Sequence, residues 1–580
     1  MQRGILAALA AVTVAMPLAL TEQPAIAEPE TPDRTEVVLE QDNGLVVSEV
    51  HLYDPLPASM GPRPAACDEI TYLRYRFADG PTDAQKADKV FVMQPGAFAG
   101  AVSMDGVARA ELRALRERGT TAEWWSYDRR PSCVADMTGI QEGSRTGDYH
   151  KAIDYYYNGA EINGRRFAGW PSYFQLNFLK QWGLPENVRD QYDLLTRELP
   201  DPAFRANNVY CGGHSHGGLA VGDFAAWDFG SGGRGLDQCK AFVGLDTVDK
   251  SDVANISADP VLSAVLEAAG GVQQAILDPV VTSGITPSSL NLGPFGGAAE
   301  FATLVAIAAQ AAHQHPNEES DVLKLVPRDP AIELILRNFS NTTLDFVSGQ
   351  NQLWSYRFTN EALFGVLVDN NTSPLGLLQS GVGGLEGPVA HKDHPTPDWL
   401  AQIAPIRPLV SFFGVNERVG PTDHNYLYTW RNYNDVAGLP YTTPDKEIVD
   451  IREWARQLAS PYAYGAIEQG YAIKFLTDTA LALTGTRTGD LAPIRYEQAA
   501  QAKPAVWILG TDSNVRYQLE IADVARPSTP SSDIVWCPGY THTDVLSPAQ
   551  ETNSGTPECT VSALTEFLLN TPPTAGQPNR

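Results

Sequence analysis

The chain has 580 residues, of which 43% are hydrophobic and 19% charged, and its formal net charge is −27. That is ample core material for one very large domain, or for about two to four of ordinary size. The acid excess excludes a basic face for nucleic acid or for an anionic membrane, and it does not identify a substrate.

The N-terminus carries "MQRG" with one arginine, then the apolar run "ILAALAAVTVAMPLAL", then "AIA" at 25–27 before Glu28. A basic start, an apolar run and a small-residue cleavage site predict a secretory signal peptide over 1–27. The apolar run has 16 residues, short of the roughly 20 that a membrane span needs. Removing the leader takes out Arg3 and Glu22 and leaves the net charge unchanged. No later apolar stretch predicts a stable membrane anchor: "FATLVAIAAQAA" at 301–312 reads as a buried or cap helix. Export changes the meaning of the cysteines Cys67, Cys133, Cys211, Cys239, Cys537 and Cys559. An even number in an oxidising compartment predicts disulfides, whose pairing sequence alone does not fix. Nearness in sequence favours Cys211–Cys239 and Cys537–Cys559, leaving Cys67–Cys133.

From 28 to 85, "TEVVLEQ", "GLVVSEVHLYD" and "TYLRYRFAD" are β-branched and aromatic runs broken by Gly and Pro, as in antiparallel strands. From 86 to 247 the rhythm changes. "KVFVMQPG", "AEWWSYD", "NNVYCGG" and "CKAFVGLD" are continuous apolar runs. Helical stretches such as "GVARAELRALRERG", "PSYFQLNFLKQWG" and "RDQYDLLTRELP" lie between them. Apolar strands alternating with helices predict an α/β fold, a mostly parallel sheet covered on both faces. From 248 to 503 the alternation stops, apart from a possible strand in "RPLVSFFG" at 407–414, and the segment reads as a mainly helical cap insertion. The core resumes over 504–572 with "PAVWILGTDSN", "SDIVWCPGYTHTD" and the closing helix "VSALTEFLLN"; residues 573–580 read as a disordered tail.

"GHSHG" at 213–217 fits G-x-S-x-G, with a strand before it and the helical "GLAVGDFAAWDF" after it. Such a strand must turn sharply into a helix, which leaves the serine exposed at the tip, and the glycines let the two pass closely. Ser215 is therefore a candidate nucleophile. The competing reading of H-S-H is a pair of metal ligands, since i and i+2 share one face of a strand. Four glycines at 212, 213, 217 and 218 make this a turn instead, no acidic third ligand follows closely, and no C-x-x-C pair supports zinc. "HQH" at 313–315 and "HKDH" at 391–394 read as solvated loop or helix-end residues.

In these pieces the chain resembles the α/β-hydrolase superfamily. "VFVMQPGAFAG" is similar to the strand and oxyanion loop, "WWSYDRRPSC" to the next strand end, "GHSHGG" to the nucleophile turn, "WILGTDSN" to an acid-bearing strand end and "GYTHTD" to the histidine loop. The resemblance covers about 86–247 and 504–570 and not the insertion. It implies a triad in the order Ser215, Asp512, His542. His214 and His216, as chain neighbours on a tight turn, are poorly placed to reach the Ser215 hydroxyl, so His542 is the expected base. Asp512 is the expected acid, because it ends a strand and precedes His542 by 30 residues. Asp246 and Glu417 are the alternatives, and Asp544 lies too near His542 in sequence to orient it. The oxyanion donors expected are the backbone amides of His216 and of Ala97, with Phe98 next. Asp128, Arg129 and Arg130 read as structural ion-pair residues, and the side chains of His214 and His216 receive no role.

The readings that follow are an exported serine hydrolase cleaving carboxylic esters through an acyl-enzyme, an exported peptidase or amidase of the same superfamily, and a non-catalytic binding protein on the same fold. The elbow looks more like that of esterases and lipases. No cofactor or metal is required, and the expected partner is a small-molecule or polymeric ester. The insertion segments "FGGAAEFATLVAIAAQAA" and "NEALFGVLV" are apolar enough to line an acyl pocket or to form the cap's own core.

Overall fold

A computed structural model describes residues 33–170, 176–247, 298–328, 330–395, 418–483, 485–516 and 532–571. The expected leader, the expected strand at 407–414, Glu417 and the expected tail lie outside the described residues. The frame is a nine-stranded sheet. Its strands are β1 (Arg34–Asp42), β2 (Leu45–Tyr53), β3 (Glu69–Phe77), β4 (Lys89–Gln94), β5 (Ala122–Tyr127), β6 (Val209–His214), β7 (Ala241–Leu245), β8 (Ala505–Gly510) and β9 (Ser532–Cys537). Their spatial order is β1-β2-β3-β5-β4-β6-β7-β8-β9. β1, β2 and β3 form an antiparallel meander, β3 runs antiparallel to β5, and every neighbouring pair from β5 to β9 is parallel.

The central strands read as continuous apolar runs because both faces of the sheet are covered. Successive side chains alternate between two cores: Phe91 and Met93 of β4 join one cluster, Val90 and Val92 the other. Helices α1 (Asp105–Glu117) and, at the end of the chain, Cys559–Asn570 close the first face with Val107, Leu112, Leu564 and Leu568. Helices α2 (Leu184–Glu198) and α3 (His216–Ala226) close the second with Val188, Leu195, Val221 and Phe224.

The insertion between β7 and β8 contains α4 (Ala298–Gln314), α5 (Asn360–Val368), α6 (Ile451–Leu458) and α7 (Ile473–Leu483). It also contains a three-stranded sheet of Arg357–Phe358, Leu427–Asn432 and Gly383–Glu386. These strands of two to six residues are too short, and in Gly383 and Gly384 too glycine-rich, to register as a period in the sequence. The insertion grips both layers: α4, α5 and α6 pack into the first core, whereas Tyr471 and Phe475 pack into the second. Leu304, Ile307 and Ala311 of α4 are buried in that core, which settles most of this apolar helix as packing rather than pocket lining.

Three disulfides form, Cys67–Cys133, Cys211–Cys239 and Cys537–Cys559, the pairing that nearness favours. The strand order, the helices on both faces and the sharp β6–α3 turn make this an α/β-hydrolase fold. Cys211–Cys239 ties β6 to the approach to β7 and closes a separation of 28 residues. Its removal by Cys211→Ala with Cys239→Ala is expected to lower the unfolding free energy by about 3 kcal/mol, read as a lower urea midpoint; an unmoved midpoint contradicts it.

Candidate active site

The site lies at the carboxyl ends of the parallel strands, where side chains from separate loops converge. β6 ends at His214, α3 begins at His216, and Ser215 between them has φ +51 and ψ −124. A non-glycine residue held there costs on the order of 1–3 kcal/mol and persists only where its surroundings impose it. Here the Ser215 amide donates to the Leu245 carbonyl at 3.0 Å, and the Ser215 carbonyl accepts from the Gly218 amide at 3.0 Å and from Thr247 Oγ1 at 2.7 Å. The flanking glycines are a steric necessity: a Cβ on Gly213 would strike the Gly217 backbone, and one on Gly217 would strike the carbonyls of Gln94 and Pro95.

His542 follows β9 and turns its Nδ1 to Asp246 Oδ2 at 2.5 Å. Asp246 ends β7, is fully buried, and accepts two further donors, the Gly510 amide at 2.9 Å and the Ser513 hydroxyl. This corrects the expected acid. Asp512 stands one strand further from the nucleophile, its Oδ1 accepts from Thr511 Oγ1 at 3.1 Å, and its amide donates to the Tyr540 carbonyl. The end of β8 thus supplies hydrogen-bond donors to the carboxylate of β7 in place of a carboxylate of its own. Asp544 has a different task. It accepts from the Thr541 amide at 2.6 Å and hydroxyl at 2.8 Å and from the Gly381 amide at 2.8 Å, which fixes the histidine loop. Burial lifts its carboxyl to about 6 against those donors.

The two histidines beside Ser215 part company. His214 Nε2 lies 2.9 Å from the carbonyl oxygen of His542. A carbonyl only accepts, so this nitrogen carries the proton, and the serine strand thereby holds the backbone of His542. His216 Nδ1 lies 2.6 Å from the Tyr471 hydroxyl of the insertion. Burial, and secondarily the positive charge of Arg129, depress His216 to about 3. Burial and then the His542 charge push His214 well below the usual imidazole range. With the rings aimed at different partners, H-S-H does not chelate. Among the described residues no group of three or more His, Cys, Asp or Glu is placed to hold a metal ion.

The loop after β4, 95–100, faces the serine. Phe98 has φ +58, so with Ser215 and Asp246 (φ +41) three backbone-strained residues gather at this site. Asp128 Oδ1 accepts the Ala101 amide at 2.7 Å, and burial raises its carboxyl to about 7. Arg130 pairs with Asp190 at 3.0 Å and with Asp54. Arg129 is buried and pairs with Glu468 of the insertion at 2.7 Å. All three hold ion pairs or loop backbone.

Ala97, Phe98, Ser215 and His542 line one cavity, whose remaining wall is mostly apolar: Val305 of α4, Val368 of α5, Trp454 of α6, Leu378 and Ile467. The cavity volume is about 40 Å³, space for a short apolar group. No family model and no curated protein matches the sequence. Solved structures similar to the chain include the peroxisomal alpha-beta-hydrolase Lpx1 of Saccharomyces cerevisiae, at 10% identity over 93% of each chain and a TM-score of 0.32. Epoxide hydrolase A of Mycobacterium thermoresistibile is 13% identical over 87% of this chain and 97% of that one, with a TM-score of 0.33. A bromoperoxidase of Bacillus anthracis is 12% identical over 87% and 95%, with a TM-score of 0.28. Scores this low carry nothing about substrate to this chain.

The burial of His214 and His216 has a direct readout. In NMR titrations from pH 8 to 5, with assignments from single His→Asn variants, both rings are expected to keep the neutral shift; a protonation step for either inside that range contradicts the geometry.

Proposed function

We propose that the protein is an exported serine hydrolase that cleaves carboxylic esters with a short apolar acyl group. The observation that carries this reading is the His542 Nδ1–Asp246 Oδ2 bond at 2.5 Å, in a loop that brings His542 to the cavity lined by the strained Ser215. His542 takes the Ser215 hydroxyl proton on Nε2 as Oγ attacks the acyl carbon. Asp246 keeps Nδ1 protonated and stabilises the imidazolium that forms. The amides of His216, the first residue of α3, and of Ala97 receive the oxyanion. The imidazolium then protonates the departing alcohol, and water repeats the sequence on the acyl-enzyme. The apolar walls supplied by Val305, Val368 and Trp454 favour an apolar acyl group over a peptide. Three disulfides agree with an oxidising compartment, and among the described residues no helix is long and apolar enough to cross a membrane.

A fluorophosphonate probe is expected to label the mature protein, and Ser215→Ala and His542→Ala to abolish labelling; an unlabelled wild type sinks the enzyme reading and leaves the binding-protein alternative. p-Nitrophenyl esters of graded chain length against amino-acid anilides decide ester from amide, with turnover expected to fall as the acyl chain outgrows the slot. Asp246→Asn is expected to cut kcat by about 10⁴, while Asp512→Asn stays near wild type; the reverse result moves the acid to β8.

A further inference from the structure

The buried Arg129 side chain does more than neutralise Glu468. Its Nη1 donates to the Pro95 carbonyl at 2.7 Å, and its Nη2 donates to the carbonyls of Gly96 at 2.5 Å and Ala99 at 2.9 Å. Nε and Nη2 also reach Glu468 Oε2, at 3.2 and 2.7 Å, and both side chains of the pair are fully buried. In a trans peptide the C=O and the N–H point in opposite directions. Holding the Gly96 carbonyl on the guanidinium therefore turns the Ala97 N–H, in the same peptide unit, away from Arg129. Among the described residues no acceptor is bonded to that N–H, and Ala97 lines the cavity beside Ser215. The insertion holds the other side of the same loop: the Glu468 amide donates to the Phe98 carbonyl at 2.8 Å and the Gly100 amide to the Ala466 carbonyl at 2.9 Å. Three residues on, Tyr471 lies under the guanidinium at 5.4 Å and sends its hydroxyl to His216, whose amide is the second oxyanion donor.

We propose that Arg129 is a positioning residue for the oxyanion hole and that Glu468, from the insertion, is the counter-ion that fixes it, so that residues 466–471 belong to the catalytic apparatus rather than to a lid. The proposal rests on the serine-hydrolase reading. It requires the loss of either charge to weaken transition-state binding while leaving substrate binding alone.

The test uses the full mature chain. Glu468→Gln keeps the size and removes the counter-charge; Arg129→Lys keeps the charge, but an ammonium cannot span three carbonyls and a carboxylate. Each is expected to lower kcat on a short p-nitrophenyl ester by about 100-fold or more, with KM within about threefold. An alkyl boronic acid, which forms a tetrahedral anion on the serine, is expected to lose affinity by a similar factor. A role in folding alone would move the melting temperature and leave kcat and boronate affinity per active site intact, and that outcome overturns the proposal. If Arg129→Lys does not fold, Glu468→Gln decides. Loss of hydrolysis in Ser215→Ala together with wild-type kcat in Glu468→Gln overturns only this inference; hydrolysis that survives Ser215→Ala overturns the function on which it rests.

Discussion

A serine held at φ +51 is the constraint around which the rest of the site is arranged. The chain alone would not keep Ser215 there. The Leu245 carbonyl of β7 holds its amide and Thr247 holds its carbonyl, so the neighbouring strand imposes the strain. The glycines at 213 and 217 admit the close passage of strand, helix and the loop after β4 that this conformation brings about. The same crowding sets Ser215 beside the loop that holds Ala97, in one cavity with His542. The sheet's parallel order then does the remaining work, because β4, β6, β7 and β9 all deliver their carboxyl ends to one place.

The insertion completes this arrangement. Thr543, beside His542, donates its hydroxyl to the Gln379 carbonyl at 2.7 Å, and the Gly381 amide donates to Asp544. On the opposite side Ala466 and Glu468 pair with the loop of Gly100 and Phe98. The histidine loop and the loop after β4 are each hydrogen-bonded to chain that sequence patterning sets apart as a cap. The buried Arg129–Glu468 pair joins residues 339 apart. Removing one partner of such a pair strands a charge in the interior, which ties the integrity of the core to that of the insertion.

The core strands and the serine were legible because their signals are local: runs buried on both faces read as unbroken apolar stretches, and a strand–serine–helix turn needs glycines at fixed offsets. The acid was not. Asp246 and Asp512 both end apolar strands, and the choice between them turns on Gly510 and Ser513 donating to Asp246, contacts between residues more than 260 positions apart. The ring partner of His214 lies 328 residues away and that of His216 lies 255 away, so neither histidine could be given a role from its own surroundings. The short strands of the insertion, two of them only two and four residues long, carry no period to read.

The hydrogen bond from His214 to the His542 carbonyl restricts how this molecule can open. The Ser215 turn and the His542 loop are joined by that contact, and His216 and the His542 loop are each hydrogen-bonded to a different stretch of the insertion. An insertion anchored to both of these loops cannot swing clear as one rigid flap without breaking those hydrogen bonds. Between those anchors the cavity wall is lined by Val305, Val368 and Trp454. The fold of the insertion and the shape of the site are thus one property of this molecule.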